Sequence, residues 1–73
     1  MRLTDLKIGE SAIIKSFKSD KLIQKLYEMG CLPGEKISLE RISVFGDPIA
    51  VRVSGYLLSL RKSEASLIEV ERL

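Results

Sequence analysis

The sequence predicts a mainly β fold: a small, partly open antiparallel barrel of about five strands with one α-helix inserted near residues 20–29. Three observations carry this expectation. Five short runs show strand-like patterning, and glycine, proline, serine or aspartate stands between them. Only one stretch of any length has helical spacing, and it lies between the first and second of those runs. The chain of 73 residues is too short for a two-sheet sandwich, and a composition 45% hydrophobic but only 5% aromatic calls for an aliphatic core. Residues 1–73 are accordingly expected to form a single domain.

The elements follow in order. Thr4-Asp5-Leu6, ahead of Ile8-Gly9-Glu10, reads as a short helical turn closing onto glycine. Ser11–Phe17 is the first strand, with Ala12 and Ile14 on one face and Ile13 on the other. Ser19 and Asp20 are good helix N-caps, because their side-chain oxygens can accept from the free amides of a first turn. From Lys21 to Met29, Leu22, Ile23, Leu26 and Met29 form one stripe while Lys21, Gln24, Lys25 and Glu28 face away. Gly30 follows at the position where a positive φ lets the terminal carbonyls find donors.

Pro33-Gly34 is a turn, and Glu35–Ile42 alternates with Ile37 and Leu39 inward. Val44–Pro48 reads as a hairpin loop whose Asp47 closes its own turn. Ile49, Val51 and Val53 alternate with Ala50, Arg52 and Ser54. Gly55 is expected to break or bulge the sheet before Tyr56–Leu60. Residues 62–66 have room for one helical turn, Leu67–Val70 is the last strand, and Glu71-Arg72-Leu73 is expected to fray.

Charge and chemistry exclude several function classes. Twelve basic against ten acidic residues give a net charge of +2, too small to mark a nucleic-acid binder. Lys15, Lys18, Lys21 and Lys25 form the one basic concentration, read as a solvated helix-side face rather than a phosphate site. There is no histidine and a single cysteine, Cys31, so neither a disulfide nor the usual transition-metal ligand set can be assembled. Cys31 with Glu28 or Glu35 would make a poor metal site, and no nucleophile–base spacing supports an enzyme. No cofactor is expected. No apolar run approaches a membrane span or a secretory signal, which points to a soluble chain in a reducing compartment with no direct membrane insertion.

Four pieces, in order and closely spaced, resemble the FeoA family of accessory proteins of bacterial ferrous-iron uptake. They are Leu3–Glu10, Leu26–Gly34, Phe45-Gly46-Asp47-Pro48 and Leu60–Val70, and together they cover essentially the whole chain. Cys31 departs from the family's usual larger aliphatic residue, a small change because cysteine packs as a small hydrophobe. The resemblance implies an SH3-like barrel, a cytoplasmic location, and a partner in FeoB, the membrane permease whose cytoplasmic part binds GTP. It implies an adaptor that supports Fe(II) import or modulates the partner's GTPase. The family is also related to the C-terminal domains of metal-dependent repressors, which makes a stand-alone relative of such a domain an alternative reading.

The partner-binding candidates lie mostly around the helix. A helix inserted in a small barrel buries one face, so Leu26, Tyr27, Met29, Cys31 and Leu32 are candidates for an apolar contact patch. Phe45, at the hairpin tip, is a second exposed-aromatic candidate. Arg52 and Arg61, placed on strands and pointing outward, are the side chains that could be offered in trans to a phosphoryl group. A nucleic-acid-binding barrel is a further alternative. Against it, Phe17, Tyr27, Phe45 and Tyr56 are dispersed and no basic stripe accompanies them.

Overall fold

The computed structural model describes residues 1–73, the side chain of Lys21 excepted. A 3₁₀ turn, Leu3–Asp5, is followed by β1 (Ser11–Phe17), α1 (Asp20–Glu28), β2 (Lys36–Ile42) and β3 (Ile49–Val53). Then come β4 (Tyr56–Leu60), the one-turn α2 (Lys62–Ala65) and β5 (Ile68–Arg72). The strands form one five-stranded antiparallel sheet in the order β4-β3-β2-β1-β5. Among the described residues β4 and β5 do not pair, so the barrel stays open between them.

Alternation decides which side chains enter the interior. Ala12 and Ile14 of β1, Ile37 and Leu39 of β2, and Ile49, Val51 and Val53 of β3 are all buried. Ile68 and Val70 of β5 join them, with Leu3, Leu6, Leu22, Leu26 and Leu60 around the ends. Among the described residues no buried side chain is polar or charged. Two bulges curl the sheet around this core. The register slips between Ile14 and Ser16 on β1 and between Leu39 and Arg41 on β2, leaving Lys15 and Glu40 as extra residues. A bulge bends its strand and sharpens the local twist, as a sheet needs if it is to wrap a core without closing.

Three sequence expectations are corrected. Gly55 does not break a strand; with Ser54 it makes a two-residue hairpin turn, because Val53 pairs directly with Tyr56. Both turn residues have positive φ, 50° at Ser54 and 82° at Gly55. This is the backbone twist that joins adjacent antiparallel strands. Glu71 and Arg72 do not fray, for they pair with Ile13 and Ala12, and the Leu73 amide donates to the Ser11 carbonyl at 3.3 Å. Asp47 does not close its own turn. Its Oδ1 accepts from the Lys62 amide at 2.9 Å, tying the β2–β3 loop to the start of α2.

No helix is long and apolar enough to cross a membrane among the described residues.

Candidate partner-binding surface

α1 sets the geometry of the surface because of how it ends. The Gly30 amide donates to the Tyr27 carbonyl at 3.1 Å, and the Cys31 amide donates to the Leu26 carbonyl at 2.8 Å. Gly30 has φ +81°. This pair of bonds around a left-handed glycine is the Schellman ending, in which orphan carbonyls of the last turn gain donors. Its usual apolar partners are here Leu26 and Cys31, both with no exposed area. The loop is then fastened from the far side of the sheet. Ser54 Oγ donates to the Gly30 carbonyl at 3.0 Å. The Tyr56 hydroxyl sits 3.1 Å from where a Gly30 side chain would begin, so only glycine fits there without displacing that ring.

Leu26 and Cys31 are therefore interior, which corrects their reading as contact residues. The helical stripe turns Leu26 into the barrel end, and the Schellman turn folds Cys31 in beside it. Desolvation first, and then the Glu35 carboxylate, push the Cys31 thiol up from its ordinary 9.0 to about 11. It stays protonated at neutral pH, the unreactive form of the group. Met29 is half-buried against the same core. Tyr27 and Leu32 remain outside, 49% and 38% exposed. The Tyr27 ring stands edge-on to Phe17, with centroids 6.2 Å apart and an interplanar angle of 67°.

Tyr56, 42% exposed, is a surface aromatic that the sequence does not mark as a contact residue. It belongs to the surface because the hairpin turn at Ser54-Gly55 carries it across to Gly30. The only sequence signal for this was an aromatic directly after a serine-glycine pair. Tyr27 and Leu32 thus flank Gly30 in the chain, and the Tyr56 hydroxyl approaches it from the β3–β4 hairpin.

The structure does not bring Phe45 into this patch. Phe45 and Val44 sit in the β2–β3 loop, at the opposite end of β3 from Ser54-Gly55, and are 96% and 94% exposed. Arg52 is outward, as expected, and its Nε donates to Glu40 Oε1 at 3.0 Å. Arg61 lies on no strand. It is the N-cap residue of α2, its amide donating to Glu64 Oε1 at 3.0 Å. Of the basic concentration, the Lys21 side chain lies outside the described residues, and the other three lysines are matched by C-terminal acids. Lys15 faces Glu71 at 3.7 Å, Lys18 faces Glu69 at 2.7 Å, and Lys25 faces Glu64 at 2.6 Å. The Lys25 and Lys18 ammonium groups are the leading reason that the Glu64 and Glu69 carboxyls lie below the usual carboxylate range. Among the described residues no group of three or more histidine, cysteine or acidic side chains is gathered as a metal site.

Comparison with known proteins agrees along the full length. The model of the FeoA domain matches residues 1–72. The chain is 35% identical, over 97% of its own length, to an Fe(2+) transport protein A/Fe(2+) transporter FeoB fusion protein of Porphyromonas gingivalis. It spans only 8% of that fusion protein. The solution structure of iron(II) transport protein A from Clostridium thermocellum superposes with a TM-score of 0.93 at 42% identity, covering 100% of this chain and 46% of that one. The crystal structure of Stenotrophomonas maltophilia FeoA complexed with zinc, described as a procaryotic SH3 domain protein, gives a TM-score of 0.84 at 30% identity. That match covers 97% of this chain and 89% of the other.

Proposed function

Because the chain belongs to the FeoA domain family, with its SH3-like fold, we propose that it is a cytoplasmic adaptor of Fe(II) uptake that docks on the cytoplasmic part of a FeoB-type permease. One observation carries this reading: a relative joins the two kinds of domain in one polypeptide. Fusion gives two domains a high effective concentration, and separate chains must supply the same proximity through a binding surface. The patch of Tyr27, Leu32 and Tyr56 around Gly30 is that surface, with Phe45 as a second contact at the far end of β3. Aromatic side chains fixed on a rigid backbone are the usual anchors of an interface, since little freedom is lost when they are covered. The chain contributes contacts and no chemistry of its own. Any change in the partner's GTP hydrolysis therefore comes from holding the partner in one conformation, not from Arg52 or Arg61 entering its site.

The test is titration of the purified chain into the purified cytoplasmic region of the permease, nucleotide-free, with GDP and with a non-hydrolysable GTP analogue. A 1:1 complex is expected in at least one state, weakened at least tenfold by Tyr27→Ala combined with Tyr56→Ala. Absence of association in all three states overturns the proposal.

A further inference from the structure

The tip of the β2–β3 loop is the most exposed apolar point of the molecule, and cations without partners stand at its base. Val44 and Phe45 are 94% and 96% exposed, while among the described residues no other large hydrophobic side chain exceeds 69%. The Gly46 amide donates to the Ser43 carbonyl at 2.7 Å, so the two side chains project from a closed turn. Arg41, at the end of β2, shares a shallow cleft with Ser43 and Pro48. Lys62 Nζ lies 3.9 Å from where a Gly46 side chain would begin, and Arg61 precedes it in the chain. All three cations are exposed.

Their charge is not spent within the fold. Lys15, Lys18, Lys25, Arg52 and Arg72 each reach a carboxylate, but among the described residues the Arg41, Arg61 and Lys62 side chains form no ion pair. Acids adjoining them in chain or space are engaged otherwise: Glu40 by Arg52, Glu64 by Lys25, and Asp47 by the Lys62 amide. We infer, resting on the permease reading above, that this tip seats in an apolar hollow rimmed by carboxylates on the permease's cytoplasmic part. Phe45 is the anchor, since a projecting aromatic side chain binds by filling a pocket. Arg41, Arg61 and Lys62 face the rim and choose an acidic surface over a basic or neutral one. A lipid surface is the weaker candidate. Two apolar side chains bury less than a single acyl chain, and one acyl chain alone holds a protein only marginally.

The test follows binding kinetics between the full chain and the purified cytoplasmic region of the permease at low and high salt. Arg61→Gln with Lys62→Gln should slow association at least fivefold at low salt and flatten its salt dependence, because rim charges act mainly on encounter. Phe45→Ser should instead speed dissociation at least fivefold, as loss of an anchor does. Lys15→Gln with Lys18→Gln removes the same charge elsewhere and should leave the association rate within twofold. A complex indifferent to either loop variant, or equally sensitive to the Lys15 and Lys18 changes, overturns the inference and leaves the permease reading standing. Absence of any complex overturns both. Loop-dependent capture by phosphatidylglycerol vesicles, with permease kinetics unchanged, overturns the inference in favour of a lipid surface.

Discussion

The chain has two glycine- and proline-marked reversals, and the structure uses them in opposite ways. The corner at 29–34 is built inward. Its backbone bonds close the helix, Leu26 and Cys31 fill the core beneath it, and Ser54 and Tyr56 hold it from across the sheet. The loop at 43–48 is held at its base: Ser43 donates to the Pro48 carbonyl at 3.1 Å, and Asp47 receives the Lys62 amide. Between those ties Val44 and Phe45 project into solvent. Similar turn residues thus bury their apolar neighbours in one place and leave them exposed in the other. What separates them is whether the flanking apolar side chains find a core within reach.

That contrast can be broken at four points. Leu26→Ala should cost most, about 2–5 kcal/mol in urea or thermal unfolding, because a fully buried side chain leaves a cavity at the barrel end. Gly30→Ala comes next, at about 1–2 kcal/mol, since alanine is strained at φ +81° and its methyl would press on the Tyr56 hydroxyl. Asp47→Ala should cost about 0.5–2 kcal/mol, the usual range for losing a side-chain acceptor at a helix start, and should speed amide exchange at Lys62. Phe45→Ser should leave unfolding within about 0.5 kcal/mol of the parent, as expected for a side chain that touches little. Its effect should be confined to the titration against the permease fragment. A loss of stability comparable to that of Leu26→Ala would show instead that Phe45 packs onto the core and that the two reversals are alike.

Much of the architecture could be read in advance, for local reasons. β1 matches its expected span, and α1 matches to within a residue, because alternation, helical spacing, N-capping residues and a terminal glycine all depend on near neighbours. The turn at Ser54-Gly55 was harder to see. Its first residue has a positive φ without being glycine, and the regular alternation through Ser54 masked the reversal. The last strand was read short because Glu71 and Arg72 look like a solvated tail, yet β1 supplies their hydrogen-bond partners. The surface is only partly legible in the sequence: Tyr27 and Leu32 are outside, Leu26 and Cys31 are not, and Tyr56 reaches Gly30 only through the hairpin turn.

The order of residues is enough to specify the mainly β class, the placement of one helix between the first two strands, and the aliphatic composition of the core. Those follow from periodicity and from the backbone preferences of single residues, which act over a few positions. Long-range packing sets the rest: Asp47 anchors a helix fifteen residues away, Cys31 turns inward, and the β5 edge, unlike that of β4, is met by the N-terminal segment. Each of those depends on which distant groups arrive at the same place. A hydrogen-bond donor or an apolar neighbour from another strand leaves no mark in the residues beside the one it meets.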